Sequence, residues 1–351
     1  MADLLPVIWF VLIAVLWLGF LFLEGFDLGI GILMKTFARD ERERRLLLNT
    51  IGPVWDGNEV WLVTAAGAMF AAFPLWYASL FSALYLPLTF TLLALILRAV
   101  SIEYRGKRGY SQRWVDGWTW CLSGGSLVAA FCVGAMLALT TTGLPLDANG
   151  DNTGGAFAWL TPPALIGGVG TVCFSVLHGL LFLTLKTDGS VRRRAHALAT
   201  RWAPVLVLPL LGWAVLVQVQ SDGGVIGWSL TGLAVVAAAY AWMRLRAGGE
   251  KSAFLGQSAF LAASIGGIFT TAFPVVLPST LDPAFDLTIH TASSSDYTLG
   301  VMVAVAAVGV PAVLAYQAWS YSVFAKRLTV DHIPPAHTVP VAIRGHASLT
   351  P

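Results

Sequence analysis

The sequence predicts an all-α integral membrane protein of about nine transmembrane helices. Three observations predict it: an apolar composition, nine long apolar runs, and basic residues confined to one side. Of the 351 residues, 57% are hydrophobic and only 11% are charged, where a soluble domain carries about 25% charged residues. The mean hydropathy is +0.74. A membrane helix needs about 20 mainly apolar residues at 1.5 Å rise each. Segments near 5–33, 55–75, 77–99, 118–141, 159–186, 202–220, 225–244, 256–277 and 298–324 meet that need. A soluble enzyme with a large core is excluded by the number and length of these runs.

The first run begins near Leu4 without a basic segment before it, and it outlasts a signal-peptide core. It reads as the first membrane helix. The second and third runs separate at Ala72-Ala-Phe-Pro74-Leu-Trp76, and the sixth and seventh at Ser221-Asp222-Gly223-Gly224. Pro and Gly-Gly supply the turn chemistry there. Longer loops near 142–158 and 278–297 read as extramembrane caps rather than domains. One transmembrane domain is expected over 1–327, and an irregular tail over 328–351, with Pro334, Pro335 and Pro340. Gly67–Pro74 echoes Gly267–Pro274. A tandem four-plus-four repeat would align the second run with the sixth, so the echo reads as a shared way of ending a helix.

All 21 Lys and Arg residues fall on one side of this layout. They lie in the loops after odd-numbered runs, at the end of the seventh run, or in the tail. The opposite loops hold none and carry Asp147, Asp151, Asp222, Asp282, Asp286 and Asp296. The positive-inside rule therefore places the N-terminus outside and the C-terminus in the cytoplasm. The net charge of +2 says nothing about partners and gives no sign of nucleic-acid binding. Cys121, Cys132 and Cys173 sit in apolar stretches, match no metal spacing, and read as buried small hydrophobes.

Ionisable residues in a membrane span are expensive, so each is a functional candidate. Glu24 and Asp27 lie on the first helix; Asp56 and Glu59 open the second. Each pair is spaced i, i+3 and shares a helix face. All four carboxyls belong toward the cytoplasmic end. Two readings stand open. One is a proton-conducting entry. The other is interfacial acids paired with Arg42, Arg44 or Arg45, with Asp56 as a helix cap. His178 is the only His well inside a run, and no second buried His is in register for a bis-His haem. A hydrogen bond between helices is the expected role. Arg98 is expected to snorkel or pair with Glu103. The Trp and Tyr clusters at Trp76-Tyr77, Trp118 with Trp120, and Trp319 with Tyr321 read as an interfacial aromatic belt.

The stretch Gly25-Phe-Asp27-Leu-Gly-Ile-Gly31, then Glu43-Arg-Arg45, then Asn49-Thr-Ile-Gly-Pro-Val-Trp55-Asp56-Gly57-Asn58-Glu59-Val-Trp61 forms one pattern. It runs on through Thr64-Ala-Ala-Gly-Ala-Met-Phe-Ala-Ala-Phe-Pro74. Phe273-Pro274, Pro278-Ser-Thr280 and Thr291-Ala-Ser-Ser follow. The pattern resembles subunit II of cytochrome bd-type quinol oxidases, over nearly the whole chain. The resemblance implies two four-helix bundles plus a peripheral helix in a bacterial plasma membrane. It implies a haem-free subunit of an enzyme that oxidises membrane quinol and reduces O2 to water without pumping protons. Haem b558, haem b595 and haem d would sit on the partner, subunit I, which also holds the quinol site. No metal is expected on this chain, though a structural quinone or lipid is possible. A small single-helix accessory subunit is a further expected partner. Asp56 inherits a role in a proton path toward the haems, with Trp55, Gly57 and Asn58 as its surroundings. Asp27 matches the family's Gly-Phe-Asp acid, and Glu24 stands where the family can have Asp. The rival readings are a proton-coupled secondary transporter, which would need polar sites at broken helices near the midplane, and a b-type cytochrome with its own haem.

Overall fold

The computed structural model describes residues 4–107, 111–221 and 223–333. Arg108, Asp222 and the expected tail from Pro334 onward, including Pro335, Pro340 and Arg344, lie outside the described residues. The elements in order are α1 (Leu4–Thr36), α2 (Glu41–Ile51), α3 (Trp55–Ala72), α4 (Pro74–Ala83), α5 (Tyr85–Tyr104) and α6 (Gln112–Thr142). Then come α7 (Pro162–Lys186), α8 (Gly189–Leu206), α9 (Leu208–Gln220), α10 (Val225–Arg246) and α11 (Glu250–Ala272). Strands β1 (Val275–Leu277) and β2 (Leu287–Thr288) precede the last helix, α12 (Asp296–Val323).

Among the described residues, eight helices, with α8 and α9 taken as one continuous stretch, are long and apolar enough to cross a membrane. The predicted segment outside this set is the second, α3. It is fully helical, but Asp56, Asn58 and Glu59 make its first turn polar. The predicted third segment is two helices, α4 and α5, meeting at Leu84. Leu84 N still donates to Leu80 O, and Leu88 N to Leu84 O, both at 2.9 Å, so the break is a bend. Pro87 falls in the first turn of α5, where its missing N–H costs little.

Two stretches that read as loops are helical. In α2, Leu46, Leu47 and Ile51 turn one face inward while Asp40 caps the N-terminus, accepting from Glu43 N at 2.9 Å. In α8, Val191, Ala195, Ala199 and Ala203 are buried at a spacing of four. A helical stripe of small residues is hard to see inside a basic run, because charge dominates the reading.

The first spans (α1, α3, α4–α5, α6) and the next (α7, α8–α9, α10, α11) meet along α1, α6 and α7. Without water to drive helices together in lipid, close packing of small residues holds them. Gly29 of α1 lies so tightly against α7 that an added Cβ would strike Ser175 O and Gly179 Cα. α12 lies outside both sets; Leu299 is its only buried residue. Trp9 Nε1 donates to Leu299 O at 3.1 Å and ties its start to α1.

The two long loops form one cap. Leu144 N donates to Pro278 O at 3.1 Å, Thr280 N to Leu144 O at 2.9 Å, and Ser279 Oγ to Leu146 O at 2.7 Å. The echoed motifs diverge: Pro74 opens a helix, whereas Pro274 follows a cis peptide and leads into β1. At the basic end, Leu328 N donates to Lys186 O at 2.8 Å, and Leu328 O accepts from Asp188 N at 3.0 Å. Ile333 is buried there.

Candidate functional site

Glu24 and Asp27 sit one turn apart on α1, and both are completely buried. Twelve residues separate Glu24 from the basic end of α1, about 18 Å along the helix. That depth calls for a cation, and α5 supplies it. Arg98 is completely buried; its Nη1 lies 2.8 Å from Glu24 Oε1 and also pairs with Glu59 Oε1 of α3. The expectation that Arg98 snorkels or pairs with Glu103 is overturned. Moving Arg98 outward would leave Glu24 in the interior without a cation. The expected pairing of the acids with Arg42, Arg44 or Arg45 also gives way to Arg98 as the cation of Glu24. Arg44 pairs with Glu41 at 3.7 Å, and Arg42 Nη2 donates to the carbonyls of Val330 and Ile333 at 3.2 Å.

Asn58 is the hub of the cluster. Its Nδ2 donates to Asp27 Oδ2 at 2.6 Å and lies 3.4 Å from Leu23 O. Its Oδ1 accepts from Gln317 Nε2 at 2.9 Å and from Tyr321 OH at 3.0 Å. α1, α3 and α12 therefore meet at one buried amide. Sequence reasoning gave Asn58 a supporting place and missed Gln317 altogether. The available signal was Gln317 itself, an amide four residues before Tyr321 in an otherwise apolar helix. Tyr321 was read as part of an aromatic belt; its hydroxyl instead faces inward. Trp76, also read as belt, is a core residue at 1% exposure. Trp120 and Trp319 are exposed, at 64% and 62%.

Asp56 lies at the second position of α3 with its side chain exposed. The N-cap position belongs to Val54 and no side chain caps the helix, so the N-cap role expected of Asp56 is corrected. Trp55 is half-buried, and Gly57 has open space where a Cβ would stand. Asp56 and Glu59, one turn apart on α3, run from exposed to 21% exposed; Arg98, Glu24 and Asp27 behind them are completely buried. Arg98 Nε and Nη2, Glu24 Oε2 and Asp27 Oδ1 are buried with no protein hydrogen-bond partner.

His178 bonds between helices. Its Nε2–H donates to Phe22 O of α1 at 3.0 Å, and its ring stacks between Phe174 and Phe254 at 4.9 and 4.6 Å. Nε2 is committed and both faces are covered, while Nδ1 is buried without a protein partner. No group of three or more His, Cys, Asp or Glu residues is placed to hold a metal among the described residues. An apolar cleft of about 400 Å³ opens between α1 and α11, lined by Phe10, Ala14, Leu18, Ile265 and Phe269 among others.

The basic end is tied by charge. Arg194 of α8 grips Glu43 of α2 through two bonds of 2.7 and 2.9 Å and donates to Phe37 O at 3.1 Å. Burial pushes the Glu43 carboxyl up, but the Arg194 bonds, the Arg39 N–H and the Arg194 charge together hold it below the usual glutamate value. Arg105 at the end of α5 bonds Thr119 at 2.9 Å and Glu41 at 2.5 Å. Glu250 gathers Arg192 at 3.0 Å and Arg327 at 3.4 Å.

Comparison with known proteins supplies the context for this site. A family model described as cytochrome bd terminal oxidase subunit II matches residues 5–324. The chain is 41% identical to cytochrome bd ubiquinol oxidase subunit 2 of Bacillus subtilis (strain 168), over 92% of this chain and 96% of that one. It is 32% identical to cytochrome bd-I ubiquinol oxidase subunit 2 of Escherichia coli (strain K12), over 94% and 97% of the two chains. Among solved structures, the bd oxidase from Geobacillus thermodenitrificans matches with a TM-score of 0.75. The match covers 91% of this chain and 98% of that chain at 18% identity, and supports the fold. Sequence, span pattern and fold agree: this multi-pass membrane chain belongs to the cytochrome bd terminal oxidase subunit II family.

Proposed function

We propose that this chain is the haem-free subunit II of a quinol:oxygen oxidoreductase that works without pumping protons. In this reading it pairs with a haem-bearing subunit I, and its buried acids carry protons from the cytoplasm toward that partner. The observation that carries the reading is the graded carboxyl series. Asp56 is exposed, Glu59 is 21% exposed, and Glu24 and Asp27 are buried, with Glu24, Asp27 and Glu59 gathered at the single guanidinium of Arg98. Three carboxyls share one cation, so protons are the mobile charge that can balance the cluster. The orphaned atoms of Arg98, Glu24 and Asp27 call for water or for groups from a partner. A hydrated acid cluster is what a proton relay needs.

The positive-inside orientation puts the graded series at the cytoplasmic end. O2 reduction consumes protons, and uptake from that side makes the turnover electrogenic. Haem b558, haem b595 and haem d belong to subunit I in this reading. The quinol also binds there. A single-helix accessory subunit finds exposed apolar helix faces available on α5 and α12. The α1–α11 cleft is the place on this chain for a structural quinone or lipid tail. The transporter reading has less behind it. The acids gather toward one end, and the middles of α7, α9, α10 and α11 carry no charged residue.

Quinol-driven O2 consumption by the assembled oxidase tests the proposal. Asp56→Asn, Glu24→Gln and Asp27→Asn should each slow turnover while haem spectra and assembly stay normal. Wild-type turnover in all three variants would sink the proton-route reading.

A further inference from the structure

The Asn58 amide has only one workable orientation. Leu23 O, a backbone carbonyl, can only accept, so the group facing it and Asp27 must be the Asn58 NH2. The carbonyl Oδ1 then faces α12, where Gln317 Nε2 and Tyr321 OH both donate to it. Those are the polar bonds that hold the inner half of a helix whose only buried residue is Leu299. We infer that Gln317 and Tyr321 are positioning residues for Asp27, acting through Asn58: their two donors lock the amide so that its NH2 holds the Asp27 carboxyl in the Glu24–Arg98–Glu59 cluster. The inference rests on the proton-route reading of that cluster.

The physical case is one of counting. Asn58 is completely buried. Its Oδ1 offers two acceptor sites, and both are filled from α12. Remove those donors and Oδ1 is left buried without partners, so the amide gains by rotating toward any donor within reach. Rotation withdraws the NH2 from Asp27. Oδ1 of Asp27 accepts from no donor in the protein; without Asn58 the carboxyl loses the amide donor that fixes its direction. Glu24, Glu59 and Arg98 face the same space from α1, α3 and α5, so a swung carboxyl meets a different set of neighbours. Tyr321 is well placed for the task because its ring is itself fixed, edge-on to Phe26 at 6.4 Å.

Gln317→Leu and Tyr321→Phe, alone and together, test this in the assembled oxidase. Each is combined with wild-type Asp27 and with Asp27→Asn. The readouts are kcat and KM for quinol and the haem content. The double variant is expected to lower kcat several-fold with KM and haem content unchanged, and to add nothing further once Asp27 is Asn. Wild-type kcat in the double variant overturns the inference. So does an equal fall in the Asp27→Asn background, which marks a structural role for α12. If Asp27→Asn itself turns over normally, the place of Asp27 in the proton route fails first, and the two failures are distinct. Should the double variant not assemble, Tyr321→Phe alone removes a single hydroxyl and is read by the same cycle.

Discussion

Replacing Arg98 by Met removes the only cation in the buried cluster and leaves its shape nearly filled. The magnitude follows from burial. Breaking a buried ion pair by deleting one partner costs about 3–5 kcal/mol, mostly because the remaining charge has no compensation. Glu24 is completely buried and lies 2.8 Å from Arg98, so it bears that cost. Glu59 is 21% exposed and can turn toward water, so it adds little. Arg98→Met should therefore lower the unfolding temperature of the assembled oxidase, followed by intrinsic tryptophan fluorescence in detergent. Adding Glu24→Gln should recover most of the loss, because a neutral amide no longer needs the guanidinium. An Arg98→Met protein that unfolds at the wild-type temperature would refute the ion-pair account. A double variant no more stable than Arg98→Met would refute the assignment of the cost to Glu24.

The Glu43–Arg194 clamp should be acid-labile at a defined place. Glu43 sits below the ordinary glutamate value of 4.5, so the stability it contributes is full above that pH and falls away as pH drops through the lower folded value. Hydrogen-exchange protection of α2 should hold between pH 7 and 5 and decline only in stronger acid; loss already at pH 6 would count against the clamp. Gly29→Ala should destabilise by about 1–3 kcal/mol, toward the upper end, because its Cβ meets backbone atoms of Ser175 and Gly179 that cannot swing away. Gly57→Ala is the control: its Cβ meets nothing within 4 Å, and the melting temperature of the purified chain should not move. The chain purified without its partner should show no Soret band, and a Soret band would return haem ligation to this subunit.

The membrane class, the span positions and the four acids were legible because each is a local signal. A run of apolar residues declares its length, and a carboxyl inside one declares its cost. The cation was not legible in the same way. Arg98 lies six residues from the end of α5, close enough to read as a snorkelling side chain, and only the packing of α1, α3 and α5 turns it inward. The burial of Asp56 and Asn58 was not legible for a similar reason. Two residues on a helix point about 200° apart, so one faces out and the other in, and the sequence does not say which. Asp56, to which the resemblance gives a proton-path role, is exposed; Asn58, read as its surroundings, is buried. Gln317 carried a signal, being polar in an apolar span, but its partner lies 259 residues away. The helices α2 and α8 were hidden by their arginines, which mask a buried stripe of leucine or alanine.

The placement of charge also bears on where a proton could leave. On the proton-route reading, few titratable groups lie behind Asp27 within this chain. The neighbouring span α7 offers His178, whose Nε2–H is spent on Phe22 O and whose faces are covered by Phe174 and Phe254. The middles of α9, α10 and α11 carry no acid or base at all. On the other side stand α3, with Asp56 and Gly57 exposed, and α12, with one buried residue in 28. A helix so little buried, yet tied by two hydrogen bonds to the amide that holds Asp27, is an odd expenditure for a lipid-facing strut. It makes sense if a second subunit packs near it and the acid cluster serves that subunit. On this reading the scarcity of titratable groups inside the chain and the open α3–α12 side have one cause: the acids are half of a path whose other half belongs to the partner.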